Sequence, residues 1–308
     1  MASSRGSENP EGDRRPSEPR PRAGDPSGAR SLRFRLGRAA GVAWRVARPP
    51  LLAYLLVLVI AMLLENRMIF FPAAYPLGDW RPAGLAPEDA WFEAPDGTKL
   101  HGWYLPRENP RAVVLFCHGN AGNITHRTEI LRALDDVVGV STLVFDYRGY
   151  GRSEGRPDEA GVLADARAAR AWLARRAGIP QDRIVLMGES LGGAVAVDLA
   201  AEEGASALVL ENTFNNLRDL AAYHYPWLPV RWLLRSRFDA AQQIRRYHGP
   251  LFQSHGDCDT IVPYALGRKL FAEANEPKQF LTIPGGDHND LHSRQYYLQL
   301  RAFVERLP

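Results

Sequence analysis

From about residue 88 onward, apolar residues come in short, β-branched, evenly separated runs with no alternation. AVVLFC (112–117), STLVFD (141–146), RIVLM (183–187), ALVLEN (207–212), LFQSHG (251–256) and QFLTIPG (279–285) are of this kind. A strand covered on both faces needs no polar side, so such runs predict parallel strands inside a sandwich of helices. The intervals carry helical periodicity over 125–137, 159–176, 191–202, 263–274 and 291–306. Alternation of the two predicts a mostly parallel, doubly wound α/β sheet. Upstream, WFEAPDG and TKLHGWYLP suggest a hairpin turning at Asp96-Gly97. One interval is longer: residues 213–249 are rich in aromatics and arginine, with Pro226 and Pro229 interrupting the helices, and are expected to form a small helical lid.

The first third follows another pattern. Residues 1–38 are dominated in their first thirty by Ser, Pro, Gly, Arg and Glu, too polar to offset the entropy of ordering, and a disordered tail is expected. Pro49 to Leu64 is uncharged, about 24 Å as a helix. A helix begun near Ala39 gains enough length to cross a bilayer, with Arg45 and Arg48 snorkelling to the headgroups. No small-residue cleavage site follows before Phe70, which favours an uncleaved transmembrane anchor over 39–66 against a signal peptide, with a buried core helix as the plainer alternative. Arg33, Arg35, Arg38, Arg45 and Arg48 precede the apolar stretch, so the N-terminus is expected in the cytoplasm and the remaining domain, 67–308, on the other side.

Composition narrows the options for that domain. A net charge of +3, from 38 basic and 35 acidic residues spread along the chain, is no footprint for nucleic acid. Two cysteines, Cys117 and Cys258, cannot build a disulfide framework and sit in no zinc-like spacing; free structural thiols are expected. At 308 residues, one large core is the natural outcome, and no repeat suggests a solenoid.

The segment LMGESLGGA then acquires meaning. RIVLM ends where a good helix begins, so Ser190 falls in a strand-to-helix turn at the carboxyl end of the sheet, where α/β chemistry collects. Gly188 allows the strand to close on the helix, and Gly192 with Gly193 allows the helix start to approach its neighbour. A serine hydroxyl needs a base, and the base an orienting acid. Downstream, His288 follows a strand in the loop PGGDHND, while His292 is expected on a helix as a surface or capping residue. The acid candidates are Asp259, preferred because it lies just past a strand end, then Asp257 as a turn former, and Glu211 at the end of the preceding strand. Backbone N–H groups of Leu191 and Asn120, the latter in the loop HGNAGN, are expected to bind an oxyanion; His118 in that loop is expected to brace it.

In this order, HGNAGN, FDYRGYGRSEG, GESLGGAVA, HGDCDTIVP and PGGDHND resemble the single-pass membrane-anchored serine hydrolases of the alpha/beta-hydrolase superfamily, and the resemblance spans 65–305. It implies hydrolysis of ester or thioester bonds of lipid-like or acyl substrates through an acyl-serine, with no metal or organic cofactor. Members usually carry a smaller residue where Asp287 stands; a carboxylate adjacent to His288 is expected to favour imidazolium. A serine peptidase on the same scaffold, and a catalytically silent membrane-bound binding module, are the alternatives.

Overall fold

The computed structural model describes residues 26–307. Most of the expected tail lies outside them, but a helix α1, Pro26–Leu63, starts well before Ala39. Within it Ala43–Leu63, 21 residues with mean hydropathy 2.1, is long and apolar enough to cross a membrane, and none of it is buried. Two compact units divide the chain: residues up to Val57, and Leu58 onward. The last turn of α1 and a short helix Glu65–Ile69 belong to the second unit.

The second unit is built on eight strands: β1 Glu88–Glu93, β2 Lys99–Leu105, β3 Val113–Cys117, β4 Ser141–Phe145, β5 Val185–Glu189, β6 Ala207–Glu211, β7 Leu251–Gly256 and β8 Lys278–Ile283. They lie in the order β8-β7-β6-β5-β3-β4-β2-β1. Only the β1–β2 and β2–β4 pairs are antiparallel; every other pair is parallel. The hairpin turns where expected: Gly97 adopts φ 82°, and the Asp96 carboxylate accepts the Thr98 N–H at 3.1 Å.

Successive strand residues face opposite sides, and the continuous apolar runs supply a core to each. Leu115, Leu143, Leu186 and Leu208 point into one cluster, with α2 (Glu159–Ala177) and α3 (Leu191–Glu203). Val114, Val144, Val185 and Val209 point into the other, with α5 (Arg294–Val304); α4, Tyr264–Glu273, precedes β8. α5 starts later than its apolar pattern, because Ser293 caps it by accepting the Tyr296 N–H. The 125–137 segment is also subdivided, into a 3₁₀ turn, a helix Thr128–Ala133 and a π turn closed by Gly139 in the left-handed region. Between β6 and β7 stand three short helices, Leu217–His224, Val230–Leu233 and Ala240–Ile244, with Pro226 and Pro229 in the break between the first two.

The cysteines part in character. Cys117 is wholly buried, and burial pushes its thiol up to about 12. Cys258 is exposed, with the neighbouring Asp257 carboxylate raising its pKa. Thiolate is the reactive form. A thiol-titration assay is expected to find one slow-reacting sulfhydryl in the native protein and two after denaturation.

Candidate active site

Ser190 follows β5 directly and caps α3 with φ 53° and ψ −119°, a backbone that L residues adopt only where the surroundings impose it. The glycines around it explain the imposition. A Cβ on Gly192 would overlap the Cys117 carbonyl at the end of β3, and one on Gly188 would overlap the Gly192 backbone. The turn is thus as tight as the chain allows. Its ends are held by Ser190 N–H donating to the Glu211 carbonyl at 2.9 Å and Thr213 Oγ1 donating to the Ser190 carbonyl at 2.7 Å. Leu191, first residue of α3, has one of the four N–H groups that no intrahelical carbonyl can reach.

Ser190, Leu191 and Asn120 line one cavity of about 330 Å³. Its remaining walls are mostly apolar, among them Phe214, Leu217, Leu228 and Val262, together with Ala61 and Met62 from the last turn of α1; Glu65 and His224 are ionisable side chains in it. The Asn120 loop is braced from several sides. Its carbonyl accepts Phe71 N–H at 3.0 Å and the Tyr150 hydroxyl at 2.7 Å, its side-chain amide donates to the Ile69 carbonyl at 2.8 Å, and Phe71-Pro72 pairs in parallel with Ala121-Gly122. His118 bonds through Nδ1 to the Gly119 carbonyl at 2.7 Å, a local brace of the expected kind. Burial holds its pKa down at about 3, so the ring is neutral.

Among the acid candidates, Asp259 is the one that meets His288: Nδ1 of the imidazole lies 2.7 Å from Oδ2. Oδ1 accepts the N–H groups of Ile261 at 2.9 Å and Val262 at 2.7 Å, and His255 Nε2 lies 3.3 Å from Oδ2. Burial alone would raise this carboxyl; the hydrogen bonds from His255 and His288 outweigh it and hold Asp259 well below the usual carboxylate range. With Nδ1 facing Asp259, Nε2 is the other nitrogen of the His288 ring. The Asp287 carboxylate is engaged by backbone: it accepts from Thr260 N–H at 2.8 Å and from the His288 N–H at 2.8 Å, which lowers its own pKa and links the two loops.

Glu211 and His292 take other places. Glu211 is 2% exposed and accepts from the Tyr296 hydroxyl, with His292 Nε2 3.6 Å away. His292, expected on a helix surface, instead precedes α5 as a ring only 9% exposed, stacked on Tyr296 at 3.9 Å. Burial disfavours its charge, but the Glu211 carboxylate prevails and its pKa is raised. Asp257 accepts the Gly285 N–H at 2.6 Å and is a turn former.

Two site residues went unnoticed in the sequence. Asn212, at φ 46°, donates through Nδ2 to the His288 carbonyl at 2.9 Å and accepts Gly256 N–H at 3.0 Å. With Thr213 next to it, the β6 end thus fastens the Ser190 turn and the His288 loop to one point. A polar pair at a strand end, ALVLENT, was the available signal. Arg127 was the other, paired with Glu189 at 3.0 Å beside the turn.

An eight-stranded, mostly parallel sheet with a serine on a strained strand-to-helix turn, an apolar cavity and an Asp–His pair on the later loops defines the architecture of a hydrolase fold. The chain belongs to the alpha/beta hydrolase family. The family model for the alpha/beta hydrolase fold matches residues 112–235. An uncharacterized protein of Mycobacterium tuberculosis is 43% identical over 228 residues, 73% of this chain and 81% of its own length. The alpha/beta hydrolase domain-containing protein WAV2 of Arabidopsis thaliana is 32% identical over 252 residues, 73% of this chain and 82% of its own. An esterase of Pyrococcus furiosus has a similar structure, with a TM-score of 0.63 at 20% identity, covering 78% of this chain and 98% of that one. A soluble variant of monoglyceride lipase from Saccharomyces cerevisiae is similar in fold at TM-score 0.57 and 18% identity, covering 75% and 97%.

Proposed function

We propose that the protein is a membrane-anchored serine hydrolase that cleaves carboxylic ester or thioester bonds of acyl, lipid-like substrates. The observation that carries this reading is that the Ser190 turn lines, with Asn120 and Leu191, a mostly apolar cavity of about 330 Å³. Ser190 Oγ attacks the carbonyl carbon while His288 Nε2 takes its proton. Asp259 keeps that proton-accepting nitrogen free by fixing the tautomer at Nδ1. The N–H groups of Asn120 and Leu191 receive the oxyanion, a contribution of about 3 kcal/mol per donor. His288 then protonates the leaving group, and water repeats the sequence on the acyl-serine.

Ala43–Leu63 serves as the anchor in this proposal, the preceding arginines holding the N-terminus in the cytoplasm and the catalytic unit on the opposite side. Support for an acyl substrate comes from Ala61 and Met62, which belong both to this apolar stretch and to the cavity wall. Full-length protein in detergent, offered p-nitrophenyl acyl esters, acyl thioesters and aminoacyl anilides, is expected to turn over the esters and thioesters of medium to long chains. Turnover of anilides alone would assign a peptidase instead.

A further inference from the structure

A second cavity, of about 220 Å³, has His288 in its lining: Ser190 lines the first cavity, His288 the second, and the two share no lining residue. Its walls include Arg127, Glu189, Glu211, Asn212 and His292. Gly119 shows how near this set comes to the nucleophile. A Cβ on Gly119 would stand 3.2 Å from Glu189 Oε1, 3.5 Å from Arg127 Nη2 and 3.5 Å from Ser190 Cβ. The ion pair and the serine therefore converge on one small space beside the oxyanion loop.

Acyl transfer assigns a direction to that space. The imidazole that accepts the Ser190 proton must deliver it to the departing oxygen, so the leaving group has to lie on the His288 side. We propose that the polar cavity is the leaving-group subsite and takes an uncharged polyhydric alcohol head, such as a glyceryl group, while the acyl chain fills the apolar cavity. The inference rests on the serine-hydrolase reading and specifies its substrate.

Charge and lining select this head over others. Both cations are already engaged, Arg127 by Glu189 at 3.0 Å and His292 facing Glu211 at 3.6 Å, and Asp290 adds a third carboxylate to the walls. His126 is biased toward its neutral form: its Nδ1 accepts the Asn123 N–H at 3.1 Å, and burial, with Arg127 nearby, lowers its pKa. A phosphorylated or carboxylated head would meet carboxylates and no unpaired cation among the described lining residues. A quaternary ammonium would need aromatic faces, and no Phe, Tyr or Trp lines this cavity. Hydroxyl groups suit it, because they can donate to Glu189 Oε1 and Glu211 and accept from Arg127 and Asn212. The volume is below the ~300–1,000 Å³ of pockets for larger ligands, room for a short head and not for a second chain.

The step balances without further reactants. The Ser190 Oγ–acyl bond forms, the acyl–oxygen bond to glycerol breaks, and the Ser190 proton leaves on glycerol by way of His288. Run in reverse, glycerol in the same cavity can attack the acyl-serine, yielding acylglycerol and free Ser190.

The test uses full-length protein in detergent and esters of one acyl chain with glycerol, ethanol or glycerol phosphate. The glyceryl ester is expected to exceed both others by about tenfold in kcat/KM, the worth of one or two well-formed hydrogen bonds. Added glycerol should divert acyl groups from a p-nitrophenyl ester into acylglycerol, and equimolar methanol should not. In Glu189→Gln, checked for an unchanged melting temperature, the glyceryl-to-ethyl ratio should fall toward one; in Arg127→Gln likewise. Equal turnover of the three esters, or preference for the phosphate, overturns the subsite while leaving the hydrolase intact. Inertness toward every ester, with Ser190 unlabelled by a fluorophosphonate, removes the hydrolase reading and the subsite with it.

Discussion

Ser190→Ala is expected to abolish fluorophosphonate labelling and to lower ester turnover by on the order of 10⁶ in kcat, the loss typical when the nucleophile of a working triad is removed. Nothing else in the fold should change. The hydroxyl takes part in none of the bonds that shape the turn; those run through the Ser190 N–H and carbonyl, to Glu211 and Thr213. Alanine also meets the same left-handed backbone, at φ 53°, with a Cβ like that of serine. A melting temperature within about 2 °C of wild type is therefore expected, since substitutions that break no packing or hydrogen bond stay within roughly 0.5 kcal/mol. Retained labelling at an unchanged rate would place the reactive group elsewhere and dismiss Ser190 as nucleophile.

Asp259→Asn should cost about 10⁴ in kcat with little change in KM, because the damage is to the tautomer and not to the acyl cavity. In the native arrangement Oδ1 takes two backbone N–H groups and Oδ2 faces two imidazoles, His288 and His255. Asparagine can keep its oxygen on the backbone pair only by turning its NH₂ toward His288 Nδ1. That donor forces the proton of the ring onto Nε2, the atom that accepts from Ser190 in the proposed mechanism. The pH dependence offers a second check. Asp259 is held well below the usual carboxylate range, so it stays ionised as pH falls, and the contribution of its hydrogen bonds is lost only at still lower pH, as the pH falls through the folded value. The acid limb of the wild-type rate should accordingly follow a group other than Asp259. Wild-type-like rates for Asp259→Asn, or equal rates for Asp257→Asn and Asp259→Asn, would contradict the assignment.

The strands and the serine turn were readable because each depends on neighbours in the chain. A run such as AVVLFC states its own burial, and GESLGG names the small residues that a close approach to Cys117 requires. Positions set by distant contacts were less legible. His292 follows Leu291 in a pattern that continues the helix, yet Ser293 starts α5 one residue later and the ring turns inward to Glu211, eighty residues away in the chain. Asn212 and Thr213 looked like an ordinary strand end until their partners, His288 and Ser190, arrived from other loops. The end of the apolar helix is a related case. Hydropathy continues smoothly through Leu64, while the change at Leu58 depends on what the final turn touches.

Glu65 lends that last point practical weight. Its carboxylate, 6% exposed, accepts the N–H groups of Arg235 at 3.0 Å and Ser236 at 2.8 Å, clasping the segment that follows the Val230–Leu233 helix. Ala61 and Met62 stand one turn earlier in the wall of the apolar cavity. Trimming the chain after residue 66 to gain solubility would discard the clasp and part of the wall together, leaving Ser190 under a loosened roof. A water-soluble version should instead keep everything from Leu58 and blunt the greasy surface by polar substitution at outward positions such as Leu63, which is 76% exposed.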